Sequence, residues 1–116
     1  AQYAALAAFS PECYEVFARR RDEFKKRRDF LLPALTSLGF DIPVSPEGAF
    51  YLYANCSGLT DDSFRFCYEL LEAEGVATTP GKDFGSNRPE EHIRFAYTTS
   101  IEKMEEAVQR IKRFLG

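Results

Sequence analysis

From the middle of the second ten residues onward, large apolar side chains return at Cys13, Phe17, Phe24, Leu31, Leu35 and Leu38, with mostly charged positions between them. Intervals of four, seven and three keep them on one side of a 3.6-residue turn, so the spacing predicts a long helix with a narrow apolar stripe. "SPEC" supplies its start: Ser10 as a hydroxyl cap, Pro11 at the first helical position and Glu12 near the positive helix end. Pro33 lacks the N–H a helix interior needs and predicts a kink near Asp29 to Leu32, and Gly39 predicts the end. Ahead of this run, "AQYAALAAF" (1–9) is helix-prone but carries too few large apolar groups to anchor itself.

After Gly39 the period changes. Aromatics crowd Ala49 to Ala54, which predicts a strand. Thr60 is the expected cap of a second helix reaching Glu74, with Phe64, Cys67, Tyr68 and Leu71 as its apolar face and Gly75 as its stop. "VATT" (76–79) reads as a short strand, and "PGKDFG" (80–85) as a turn whose Phe84 tucks into the core. "HIRFAY" (92–97) alternates as a third strand. Thr99 and Glu102 have capping-box spacing ahead of a last helix, in which Ile101, Met104, Val108, Ile111 and Leu115 keep a regular period. The order of helix, strand, helix, strand, strand, helix predicts an α+β fold of two layers. A small, mostly antiparallel sheet of about three strands is packed by helices, behind a long N-terminal helix. Too few helices are available to cover both sheet faces, so one face is expected to stay open.

At 116 residues the chain has the size of one domain, and a chain of that size buries about two-thirds of its unfolded surface without staples. A net charge of −3 gives no general attraction to nucleic acid or anionic membrane. The densest charge, "RRRDEFKKRR" (19–28), has no aromatic residues interleaved on its charged face for base stacking. Four-residue spacings such as Glu15–Arg19, Asp22–Lys26, Glu23–Arg27 and Lys25–Asp29 read instead as a solvated helix face. Cys13, Cys56 and Cys67 are odd in number and widely spaced, which suits reduced, mostly buried thiols and a cytoplasmic location. No apolar run has the roughly 20 residues of a membrane span. The absence of an initiating Met at Ala1 suggests a piece of something longer.

Few residues carry candidate chemistry. His92 is the only histidine, and without a spaced partner it makes neither a zinc site nor a catalytic pair, so no metal is expected. "PGKDFG" lacks the phosphate-loop pattern and precedes a strand rather than a helix. Arg94 stands mid-strand. Ile93, Phe95 and Tyr97 share one face, leaving His92, Arg94 and small Ala96 on the other. A guanidinium there suits two-point binding of a carboxylate, and it equally suits an exposed strand arginine. The residues alone leave both readings open.

Three blocks, "SPEGAFYLYANC", "GVATTPGKDFG" and "IRFAYTTSIEKMEEAVQRIKRFL", stand in an order and spacing that resemble the closing third of pyridoxal-phosphate-dependent class I/II aminotransferases of the aspartate-aminotransferase fold type. "EVFARRRDEFKKRRDFLLPAL" resembles the long helix joining that family's large and small domains, where Pro33 is a departure. The resemblance covers essentially the whole chain. It implies one C-terminal small domain over 1–116, with 1–38 as the interdomain helix region and 44–116 as the core. It implies that Arg94 binds the substrate α-carboxylate. Phe50 becomes a candidate for lining the substrate pocket, a core position being the other reading. The family's catalytic aldimine lysine and its cofactor-binding groups lie in the large domain, so neither catalytic nor cofactor-binding residues are expected here. Lys25, Lys26, Lys82, Lys103 and Lys112 lack that context. The implied partners are the missing N-terminal large domain, an amino acid and 2-oxo acid substrate, and a second subunit in a full-length homodimer. Pyridoxal 5'-phosphate is expected only with the full-length enzyme, and the fragment alone is expected to be inactive. A freestanding α+β binding or regulatory module is the alternative.

Overall fold

The computed structural model describes all of residues 1–116. Helix α1 (Gln2–Ala7) leads into the long α2 (Pro11–Ser37). Strand β1 (Tyr51–Asn55), helix α3 (Ser63–Glu74), the two-residue strand β2 (Thr79–Pro80), strand β3 (His92–Ala96) and helix α4 (Ile101–Leu115) follow. Two single 3-10 turns, Gly81–Asp83 and Pro89–Glu91, occupy the stretch between β2 and β3.

Helix α2 starts as its sequence dictates, with the Ser10 hydroxyl accepting from the Cys13 N–H at 3.3 Å. It runs unbroken through Pro33, because Leu31 and Leu35 on either side of the proline are both buried in the core. Its end is a Schellman turn. Gly39 sits at φ +101, its N–H donates to the Thr36 carbonyl, and the Phe40 N–H donates back to Leu35. Phe40 and Leu35 then both bury, which couples the end of the helix to the core.

Two expected caps shift along the chain. Asp62, not Thr60, caps α3 by accepting from the Arg65 N–H at 3.0 Å, while the Thr60 hydroxyl accepts from the Asp62 N–H at 3.1 Å and orients that cap. Ser100, not Thr99, caps α4 through the Lys103 N–H. Strand β1 begins at Tyr51 because Ala49 takes φ +57, a left-handed conformation incompatible with a strand. "VATT" contributes only Thr79 to β2.

The sheet order is β1-β3-β2, antiparallel throughout, with β3 in the centre. Tyr51 stands opposite Ala96, Tyr53 opposite Arg94, and Thr79 opposite Arg94 on the other side. Alternation then sorts the faces. Leu52, Ala54, Ile93, Phe95 and Tyr97 are buried with Leu31, Leu35, Phe66, Cys67, Leu70, Met104 and Ile111 from the helices. Helix α3 turns a different side inward from the one its sequence suggested: Ser63, Phe66, Cys67 and Leu70 are buried, whereas Phe64, Tyr68 and Leu71 are exposed. The helices thus cover one sheet face. Tyr51, Tyr53, His92, Arg94 and Ala96 lie on the other. Among the pairs expected along the basic stretch of α2, Glu23–Arg27 forms at 3.2 Å; Arg21 and Arg28 pair instead with the adjacent Asp22 and Asp29.

Candidate functional site

Arg94 is central in the central strand, so its position is set by ladders on both sides: Tyr53 on β1 and Thr79 on β2. Its guanidinium carbon lies over the Tyr51 ring at 4.1 Å and over the Phe84 ring at 4.4 Å. Both are within the range of a cation–π contact. Its Nε is buried and has no hydrogen-bond partner. A charged donor held against two rings, with a buried N–H unsatisfied, is costly unless an acceptor completes it. An anion with two coplanar oxygens fits that need best.

Phe84 reaches this place because the Gly81–Asp83 turn sits tightly on β1 and β3. A Cβ on Gly81 would meet the Pro89 carbonyl oxygen at 2.5 Å, the Tyr53 hydroxyl at 2.9 Å and the His92 carbonyl oxygen at 3.0 Å. The chain leaves the turn at Gly85, φ +146. Phe84 is therefore not a core residue, as its sequence context suggested; it is 45% exposed on the open face, edge-on to Tyr53 with centroids 6.2 Å apart.

His92 stacks flat on Tyr53, with centroids 4.9 Å apart and planes within 7°. Its Nδ1 lies 2.9 Å from the Arg88 carbonyl oxygen, which can only accept, so Nδ1 carries the proton. Burial, and secondarily Cys56, pushes the Tyr53 phenol up, keeping it neutral. Burial, reinforced by Cys67 and opposed by the thiol's own backbone hydrogen bond, pushes the Cys56 thiol up to about 11. Cys67 is likewise raised by burial and receives the Thr78 hydroxyl at 3.1 Å. All three cysteines are free thiols, two of them buried, and neither buried one is a nucleophile at neutral pH.

Phe50 is not brought against Arg94. It precedes β1 and packs on Phe24 of α2 at 5.9 Å and on Tyr51 at 4.5 Å. It stands one ring removed from the guanidinium, beside a groove that also involves Arg28 and Tyr97. The sequence singles out Arg94 as a candidate but not the Tyr51 and Phe84 rings that lie against it. Tyr51 was within reach, since it shares the parity of Tyr53 and faces Arg94's side of the sheet. The lysines offer no cradle for a phosphate-bearing cofactor. Lys25 and Lys26 belong to α2, and Lys103 and Lys112 to α4, two of the helices behind the sheet. Lys82 places its Nζ over the Phe64 ring at 2.9 Å. A pyridoxal phosphate group therefore does not fit on the residues of this chain alone.

A three-stranded antiparallel sheet, backed by helices on one side and presenting Arg94 between two aromatic rings on the other, is an α+β domain with one open face. Residues 1–111 match the aminotransferase class I and II family, and the chain belongs to that family, whose enzymes are generally pyridoxal-phosphate dependent. It is 41% identical to an aspartate/prephenate aminotransferase of Thermus thermophilus over all of its own length. It is 37% identical to a valine–pyruvate aminotransferase of Mycobacterium tuberculosis over 98% of its length. In each case it spans 29% of the relative. A crystal structure of an aminotransferase from Mycobacterium tuberculosis superposes with a TM-score of 0.89 at 37% identity, over 97% of this chain and 29% of that one. An aromatic aminotransferase from Pyrococcus horikoshii superposes with a TM-score of 0.87 at 33% identity, over 97% of this chain and 30% of that one.

Proposed function

We propose that this chain is the C-terminal small domain of a pyridoxal-phosphate-dependent aminotransferase, and that Arg94 binds the α-carboxylate of an amino acid or 2-oxo acid during amino-group transfer. The observation that carries this reading is the Arg94 guanidinium, flanked by Tyr51 and Phe84 on the helix-free sheet face with its buried Nε unpaired. The cofactor supplies the electron sink for the chemistry, held by a large N-terminal domain outside this chain, in an enzyme that works as a cytoplasmic homodimer. What this domain contributes is orientation. A carboxylate held at two points cannot rotate, so the substrate's Cα–H bond is kept in one direction, and such positioning contributes several kcal/mol of rate enhancement. Closure of the domain over bound substrate would exclude water from the same site. The open sheet face and helix α1, which buries none of its residues, supply the surface for the large domain, with Phe50 at the margin of the substrate pocket. The chain alone is expected to be inactive.

The test is Arg94→Ala in the full-length enzyme. Losing two charge-assisted hydrogen bonds, each about 1.5 kcal/mol, should lower kcat/KM for amino and 2-oxo acids by roughly 100-fold. A kcat/KM within about twofold of wild type would remove the carboxylate role, since that is less than half a kcal/mol.

A further inference from the structure

Tyr51 and Phe84 both lie against the Arg94 guanidinium, at 4.1 and 4.4 Å from its central carbon. The two rings do not form a pair with each other, although each is paired with other rings, Tyr51 with Phe50 and Phe84 with Tyr53. The guanidinium carbon therefore lies over the faces of two separate rings. An aromatic face carries partial negative charge. With two ring faces this near the guanidinium carbon, an anion has to approach its N–H groups past the rings.

We infer that Phe84, together with Tyr51, makes Arg94 selective for a flat carboxylate over a tetrahedral anion, so that Phe84 determines specificity without touching the reacting atoms. This rests on the reading of Arg94 as the carboxylate site. A carboxylate presents both oxygens in the guanidinium plane and nothing above or below it. A sulfonate that offers two oxygens along the same edge has a third, charged oxygen out of that plane. That third oxygen is forced toward the face of Tyr51 or of Phe84, where the ring repels it. Phe84 is the better residue to vary. It is half exposed and hangs from a turn seated by Gly81, so losing its ring leaves the core intact. The loop is also braced on its far side, by Lys82 over Phe64.

The experiment uses the full-length enzyme and calorimetric titration with hexanoate and with pentane-1-sulfonate, comparing wild type with Phe84→Leu, Phe84→Tyr and Arg94→Ala. Phe84→Leu keeps apolar bulk and removes the ring face. It should weaken hexanoate about tenfold, and sulfonate less than threefold, so the preference between them collapses. Phe84→Tyr restores the ring and should keep both the affinity and the preference within twofold of wild type. In steady state, Phe84→Leu should raise KM for the amino donor while kcat changes less than threefold. If Phe84→Leu leaves hexanoate binding unchanged, or weakens both anions equally, while Arg94→Ala abolishes hexanoate binding, the ring has no selective role and the carboxylate reading stands. If Arg94→Ala also leaves hexanoate binding intact, the carboxylate reading itself is overturned.

Discussion

Gly81 is the residue that sets where Phe84 can be. Its backbone φ is ordinary, so the requirement is for space: three oxygens, two of them backbone carbonyls, stand within 3.0 Å of where a Cβ would go. In Gly81→Ala the turn must lift away from β1 and β3, at a cost of roughly 1–3 kcal/mol for overpacking a site that cannot relax. A loss of that size in the unfolding free energy from urea titration, with hexanoate affinity falling as in Phe84→Leu, is the expected result; unchanged values of both would mean the turn is not braced as described. At this scale the sequence was half legible. Alternation along "HIRFAY" put Arg94 opposite the buried Ile93 and Phe95, and the structure agrees. From residue type alone, Phe84 in a turn reads as a core residue. Only the close seating of Gly81 against non-local carbonyls turns it outward, and a pattern of residue types does not encode that contact.

Helix α3 shows why elements were legible where their faces were not. Residues 63–74 carry apolar groups on two neighbouring stripes, Phe66, Cys67 and Leu70 on one, and Phe64, Tyr68 and Leu71 on the other. Either satisfies a helical period, and the choice depends on where Asp62 starts the helix and which stripe meets the sheet. Leu70 is fully buried and Leu71 is 45% exposed. Leu70→Ala should cost about 2–5 kcal/mol, the range for a truncated core leucine. Leu71→Ala should stay within about 0.5 kcal/mol, as surface changes do. Urea unfolding of the two variants distinguishes the faces directly, and a larger loss for Leu71→Ala would reverse the assignment. Helix α4 posed no such ambiguity: the apolar residues named from its sequence all lie in or against the core. The caps of α3 and α4 moved by one or two residues because hydroxyl and carboxylate candidates were adjacent, and backbone direction decides between them.

At the scale of the whole molecule, the open sheet face was foreseeable from the ratio of helices to strands, while the strand order was not. β3 enters between β1 and β2 because the turns at Gly81 and Pro89 bring it back, a matter of loop geometry. Two of the three helices behind the sheet, α3 and α4, are tied to each other at their ends. Arg110 of α4 donates to the Glu74 carbonyl at 2.9 Å, satisfying a terminal carbonyl of α3, and Arg113 donates to the Glu74 carboxylate through Nε at 3.0 Å and again through Nη2. Arg113, foremost through that hydrogen bond, holds the Glu74 carboxyl below its ordinary value. Glu102 is also held low, first by its own backbone N–H and then by the Ser100 hydroxyl. A carboxyl with a lowered folded pKa binds fewer protons folded than unfolded. Its stabilisation is therefore complete above the unfolded value, about 4.3 for glutamate, and is lost as pH falls through the folded value. Glu74→Gln should be less stable than wild type at neutral pH, and the gap should close as the pH is lowered from about 6 to about 3. Because the Arg113 side chain is largely exposed, about 1 M salt should narrow the neutral-pH gap as well. Urea midpoints for both proteins across that range give the answer: a gap that widens on acidification would show that the pair does not stabilise the junction of α3 and α4 as an ion pair.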